Sequence, residues 1–204
     1  QMIELKEDCE TTALRETLAR LSYQRFFRQY YHMGGMTGTA GAVRRELWSS
    51  YGLGVVAIPT HHPCRRRALP TRVFADEAAK WAAVVASAKS HLEEGRAVLI
   101  GAATVGVSEH LSAYMRAANI DHHLLNAKQD AEEAELVGAA GQRGRVTIAT
   151  NMAGRGTDIK LAPEVERCGG LHVIVTELHQ SSRIDRQLIG RCARFGDAGS
   201  FEML

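Results

Sequence analysis

An α/β fold built on a parallel sheet flanked by helices is predicted by three observations in this 204-residue sequence. Short apolar runs of strand length, such as Ala97-Val-Leu-Ile-Gly101, recur between longer segments with helical spacing. These runs are continuous, as strands buried on both faces require. Strands and helices follow each other in turn through short links, which calls for right-handed crossovers over one sheet. With 45% hydrophobic residues, the chain can bury one good core but not two full domains.

From the N-terminus, Leu14, Leu18, Leu21 and Phe26 recur at helical spacing over Thr12–His32, a helix or helix pair. The small-residue turn Gly34-Gly35-Met36-Thr37-Gly38-Thr39 interrupts it; Val43–Trp48 resumes the spacing, and Gly52 and Gly54 close it. Val55–Ile58 reads as a short apolar strand, and the basic stretch His61–Pro70, with two prolines, as an exposed connector. Thr71–Phe74 is the next strand. Asp76 then caps a helix running through Trp81, Val84 and Val85 to Leu92, which Gly95 ends. There follow strand Ala97–Gly101, helix Ser108–Ala118, strand Asp121–Leu125, helix Gln129–Ala139, strand Val146–Ala149, strand Gly169–Val175 and a final helix Arg183–Arg194. In outline this is a RecA-like α/β domain, an outline that suits many functions.

Bulk chemistry narrows the field. Twenty-five Lys and Arg against 23 Asp and Glu leave a net charge of +2, so there is no global basic field to hold nucleic acid. Cys9, Cys64, Cys168 and Cys192 are far apart with no C-x-x-C pair, against a zinc site or a disulfide framework and in favour of a reducing cytoplasm. No apolar run approaches the roughly 18 residues that span a bilayer, and Met2 is followed by charged residues, not by a signal-peptide core. The reading is of a soluble protein able to dock on a membrane. Gln1 before Met2 and the stop at Leu204 read as cuts within a longer polypeptide.

Two segments carry chemistry. If Arg183–Arg194 is helical, Gln187, Arg191 and Arg194 fall four and three apart and share one face. Guanidinium groups so placed reach a γ-phosphate on an adjoining domain and neutralise charge as it transfers; a solvated basic face has the same pattern. The second segment is Thr150-Asn-Met-Ala-Gly154-Arg155-Gly156-Thr-Asp158-Ile159, a glycine-flanked loop at the end of a strand, where open parallel sheets bind ligands. Gly154 and Gly156 allow close backbone approach, Arg155 is a further phosphate contact, and Asp158 accepts from a ribose or holds an arginine. A glycine turn tied by an Asp–Arg pair is the plainer account.

Thr150–Ile159 and Gln187–Asp197 resemble motifs V and VI of superfamily 2 helicase-like motors, and their wording is similar to the SecA family of preprotein translocase ATPases. The resemblance runs along the chain through Gly35-Met-Thr-Gly-Thr-Ala40, Leu125-Asn-Ala-Lys128, Asn151-Met-Ala-Gly-Arg-Gly-Thr-Asp158 and Gly169-Gly-Leu-His-Val-Ile174. It implies that residues 1–44 are the return from the preprotein-binding insertion into the end of the first nucleotide-binding domain. There Thr37, Gly38 and Thr39 resemble motif III, which relays nucleotide state. Residues 45–204 would be the second nucleotide-binding, RecA-like domain. Arg155, Arg191 and Arg194 would be catalytic. Gly154, Gly156, Asp158, Gln187, Thr37, Gly38 and Thr39 would contact ATP, with Mg2+ held mainly by the first domain and no metal held by this chain. The implied partners are the remaining SecA domains, a SecYEG-type channel, preproteins and an anionic membrane surface, without specific nucleic acid. The implied location is the inner face of the cell membrane.

The sequence also departs from the family. No G-x-x-x-x-G-K occurs, so the phosphate cradle and its lysine are missing and the chain alone is expected to be inactive. Phe74-Ala-Asp76-Glu77 looks like an acidic metal-holding box on paper, but Asp76 there is an adequate helix N-cap. Cys192 and Ala193 replace the small residues usual in motif VI, Phe195 replaces a polar one, and Leu178, Ser182 and Ile189 stand where the family commonly has arginines. A rival is a non-catalytic binding or regulatory module that keeps the fold. The pairs His61-His62 and His122-His123 lack metal-ligand spacing, and Arg65-Arg66-Arg67 reads as a solvated connector.

Overall fold

The computed structural model describes residues 20–125, 137–150 and 157–204. The chain divides into two compact units, residues 1–56 and 57–204.

In the first unit, the Ser22 side chain accepts from the Arg25 N–H and caps α1 (Tyr23–Phe27). The helix expected over Thr12–His32 shrinks to these five residues in the described part. Gln29 and Tyr30 donate only to carbonyls three residues back, which tightens and ends the turn. A 3₁₀ turn over Ala40–Val43 leads into α2 (Arg44–Tyr51), ended by Gly52. None of these three elements buries a side chain. Tyr23, Phe26, Phe27 and Tyr30 stay exposed and pack edge-on or stacked against one another.

The second unit contains β1 (Arg65–Ala68), α3 (Glu77–Glu93), β2 (Val98–Ala102), α4 (Val105–Ala117), β3 (His123–Leu125), β4 (Val146–Thr150), α5 (Pro163–Arg167), β5 (Leu171–Val175), α6 (Ser182–Ile189) and β6 (Ala198–Met203). Among the described residues, six parallel strands form one sheet in the order β1-β6-β5-β2-β4-β3. Strand side chains alternate between faces. Val98, Ile100, Val146, Ile148 and Ile174 pack against Trp81, Val84 and Ala88 of α3 and Leu111 and Met115 of α4. Leu99, Leu171, Val173 and Val175 meet Val165 of α5, Leu188 and Ile189 of α6, and Cys192. Each such aliphatic side chain taken fully from water contributes about 1.5–3 kcal/mol. At Gly101 an added Cβ would stand 2.1 Å from Leu188 Cδ2, so α6 lies close on the middle of the sheet.

Asp76 caps α3 by accepting from the Ala79 N–H at 2.7 Å, and Glu77 accepts from Trp81 Nε1 at 2.9 Å, so the acidic box starts a helix. Three expectations are corrected. Val55–Ile58 forms no strand; Val56 and Ile58 are exposed and have no sheet neighbour. An edge strand forms over Arg65–Ala68 and not Thr71–Phe74, because backbone pairing with β6 does not depend on the polarity of its arginines; Pro70 has no N–H to donate, and beyond it only the Arg72 N–H bonds β6, at the Met203 carbonyl, among the described backbone bonds. The last helix stops at Ile189, five residues early, and the chain turns to form β6. The expected helix Gln129–Ala139 lies mostly outside the described residues.

Candidate functional site

The helix α6 ends at Gly190, whose N–H still bonds the Arg186 carbonyl at 2.8 Å. Carbonyls of a last helical turn lack intrahelical donors. Arg194 supplies one: its side chain folds back and Nε donates to the Gly190 carbonyl at 2.9 Å, where a cation also complements the helix dipole. Its Nη1 donates to Asp158 Oδ1 at 2.5 Å. Arg191 Nη1 donates to the Thr157 carbonyl at 2.9 Å. Both arginines are thus tied to the adjacent residues Thr157 and Asp158. The sharing of one helix face by Gln187, Arg191 and Arg194 does not hold: Gln187 is exposed on α6, and the arginines lie in the turn beyond it.

That turn is unusual in its backbone. Ala193 and Phe195 have φ of 53° and 55°, left-handed values that cost a non-glycine residue roughly 1–3 kcal/mol and persist where the surroundings enforce them. Gly196 follows at φ 92°, and a Cβ there would meet His62 Cβ at 2.9 Å. The turn lies against the starts of β6 and β1. Arg66 Nε and Nη2 both donate to the Cys192 carbonyl, at 3.1 and 2.9 Å, and Arg65 Nη1 reaches the Gly196 carbonyl at 3.4 Å.

Charges of both signs meet here. Arg194 and Asp158 are about one-third exposed, so their ion pair adds only about 0–1 kcal/mol of stability and acts chiefly to orient the guanidinium. Burial, helped by Glu166 and Asp158, pushes the Asp197 carboxyl above its usual range. Burial also raises the Cys192 thiol despite nearby Arg66, which suits packing and not nucleophilic chemistry. The arrangement offers guanidinium groups, held in place by backbone carbonyls and a carboxylate, to anionic oxygens.

Comparison with known proteins bears on the family and the fold. The family model described as the SecA P-loop domain matches residues 63–167 and 162–203, and the SecA DEAD-like domain matches residues 1–48. The chain belongs to the SecA family. It is 54% identical over 204 residues to protein translocase subunit SecA 2 of Nitrosospira multiformis, covering 100% of this chain and 31% of that protein. It is 49% identical over 202 residues to SecA 3 of Magnetococcus marinus, with 99% and 31% covered. Against the SecA of Porphyromonas gingivalis it is 50% identical over 200 residues, with 98% and 18% covered. The chain therefore spans about a third or less of these SecA relatives. Among solved structures, E. coli DEAD-box protein SrmB bound to RraA aligns with TM-score 0.52 at 20% identity, covering 72% of this chain and 79% of that one. Domain 2 of the Mss116p DEAD-box helicase, bound to an RNA duplex, gives 0.52 at 19%, covering 68% and 53%. These two likenesses bear on the fold alone, the RecA-like fold of SecA and DEAD-box motors.

Of the residues expected from the SecA resemblance, Arg191, Arg194 and Asp158 come together, while Gly154, Arg155 and Gly156 lie outside the described residues. Thr37, Gly38 and Thr39 belong to the first unit. Thr39 is buried, its N–H donating to Thr37 Oγ1 at 3.3 Å. Sequence reasoning missed Arg66, whose partner is 126 residues away and whose neighbours Arg65 and Arg67 make it look solvated. It also missed a buried polar cluster in which His91, His172 and Glu202 bring donor atoms within 4.8 Å of one another, the spacing of a metal site. The donors there are engaged with protein groups. Ser200 Oγ accepts from Arg96 at 2.7 Å and meets His172 Nδ1 at 2.8 Å; Arg72 donates to Glu202 Oε2 at 3.0 Å, and Ser87 donates to Glu202 Oε1. Two guanidiniums in the same cluster suit a hydrogen-bonded core better than a cation. Among the described residues, no helix is long and apolar enough to cross a membrane.

Proposed function

We propose that this chain is the second nucleotide-binding half of a SecA motor, together with the closing segment of the first, divided near residue 44. The observation that carries the proposal is the joining of Arg191 and Arg194 to Thr157 and Asp158, the segments that resemble motifs VI and V. ATP bound mainly on the first nucleotide-binding domain supplies a γ-phosphoryl group for transfer to water. Arg191 and Arg194, with Arg155, approach its oxygens and offset the negative charge that shifts during transfer. Asp158 keeps Arg194 oriented, and Gln187, Gly154 and Gly156 are the further ATP contacts in this reading. The donors assembled here suit phosphate oxygens; Asp158 is engaged by Arg194, so Mg2+ belongs to carboxylates of the Walker-bearing half. Thr37, Gly38 and Thr39 report nucleotide state. The motor moves preproteins through a SecYEG-type channel, working peripherally at the inner face of the cell membrane against anionic lipid.

A second reading is favoured by one observation: the non-glycine residues at left-handed φ, Ala193 and exposed Phe195, stand where the family has other residues. A turn altered in this way suits a SecA-like module that keeps the fold and binds without turnover. One assay separates the two: ATP turnover by the chain combined with a separately expressed first nucleotide-binding domain. The motor reading expects activity only in the mixture, reduced roughly a hundred- to a thousandfold by Arg191→Ala or Arg194→Ala. A mixture no faster than the first domain alone would establish the binding module instead.

A further inference from the structure

We infer that Arg66 is the positioning residue of this motor half: its guanidinium fixes the backbone between Arg191 and Arg194 and so sets where both can reach. The inference rests on the reading of those arginines as phosphate contacts. The Cys192 carbonyl lies in the chain between them, and Arg66 holds it by two N–H groups at 3.1 and 2.9 Å. The hold comes from a different strand. In the sheet Arg66 is in register with Gly199 of β6, where an added Cβ would stand 2.7 Å from the Ala193 backbone N and 3.1 Å from Cys192 Cβ. The turn therefore lies directly over the start of β6, and the neighbouring strand β1 reaches across to clasp it.

The turn requires such a clasp. Three of its residues, Ala193, Phe195 and Gly196, have positive φ, and two of these pay for it without the freedom of glycine. Burial of the Cys192 side chain anchors one end, and its Sγ–H donates to the Ile189 carbonyl at 3.2 Å. The Arg194 bond to Gly190 closes the other end. Arg66 alone holds the middle from outside the segment among the described hydrogen bonds to Cys192. Lysine could not replace it fully, because an ammonium lacks the planar fork that places two donors on one carbonyl.

The test is steady-state ATP turnover by the chain with its first nucleotide-binding domain, comparing Arg66→Ala, Arg66→Lys, Arg191→Ala/Arg194→Ala and the triple variant, with a melting curve for each. Positioning predicts a kcat for Arg66→Ala lower by roughly ten- to a hundredfold with KM for ATP within about twofold. It also predicts partial recovery in Arg66→Lys and no further loss when Arg66→Ala is added to the double variant. Full multiplication of the two losses, or native kcat in Arg66→Ala while the double variant is impaired, overturns the inference and leaves the phosphate-contact reading intact. If the double variant itself turns over ATP at the native rate, the phosphate-contact reading falls, and this inference with it. Should Arg66→Ala lack a native melting transition, Arg66→Lys decides: a kcat several-fold below native at an unchanged melting temperature supports the inference, and native kcat overturns it.

Discussion

His172 is fully buried, and its neighbours fix its protonation. The ionised Glu202 carboxylate can only accept, so the proton of neutral His172 sits on Nε2, facing Glu202 Oε1 at 3.3 Å, and Nδ1 accepts from Ser200 Oγ at 2.8 Å. Burial, with His91 and Arg96 nearby, pushes the His172 pKa below 6.5 despite Glu202. Burial alone would raise Glu202, but hydrogen bonds from His172, Ser87 and Arg72 bring it from 4.5 down to about 2. His91 and Glu94 complete the charged surroundings. For both groups the unfolded chain binds the proton more tightly, so stability rises with pH over the window between folded and unfolded values. The His172 contribution fades as pH falls below 6.5, and that of Glu202, up to about 3 kcal/mol, fades from 4.5 toward 2. Urea unfolding at a series of pH values should show stability declining on acidification, with the lower part of the decline flattened in Glu202→Gln. Parallel curves for the two proteins below pH 4.5 would refute the assignment to Glu202.

At the scale of elements, the turn after α6 makes a sharper demand than any helix. Gly196 combines φ 92° with His62 Cβ 2.9 Å from where a side chain would begin, whereas Gly144, at φ 71°, has open space around it. Gly144→Ala should cost about 1 kcal/mol for the left-handed backbone alone, and Gly196→Ala roughly 2–3 kcal/mol once His62 must shift. In melting curves this is a difference of about 2–8 °C; equal shifts would mean that the His62 wall yields freely. The same contrast explains what the sequence reveals. Strands β2, β4 and β5 are legible because burial on both faces forces unbroken apolar runs. β1 is hidden because an edge strand of arginines pairs through its backbone, and β6 because Gly199, Ser200 and Glu202 fill buried places with small or polar groups that serve the His172 cluster. Arg191, Arg194 and Asp158 are legible as wording within two local segments. Their arrangement is not, since Gly190 ends α6 inside a stretch whose spacing still reads as helical, and Arg66 comes from a strand with no local mark of its role.

For the molecule as a whole, the buried apolar side chains of the described residues lie between Trp81 and Ala193, all inside the unit formed by residues 57–204. Among the described residues of the first unit only Thr39 is buried, and Tyr23, Phe26, Phe27, Tyr30, Tyr31 and Trp48 remain exposed. Since hydrophobic burial is the main favourable term in folding, stability should reside almost entirely in the second unit. A protein of residues 57–204 should therefore melt cooperatively, within a few degrees of the full chain, and keep the acid sensitivity set by His172 and Glu202. At roughly 2–4 °C per kcal/mol for chains of this size, a fall of more than about 10 °C would mean that residues 1–56 add several kcal/mol. The division into two units would then fail as a thermodynamic one. If melting is preserved, the exposed aromatic residues of the first unit, Tyr23, Phe26, Phe27 and Tyr30, do not stabilise the second. Their apolar surface then fits a segment that packs within another domain, in keeping with the match of residues 1–48 to the DEAD-like domain model.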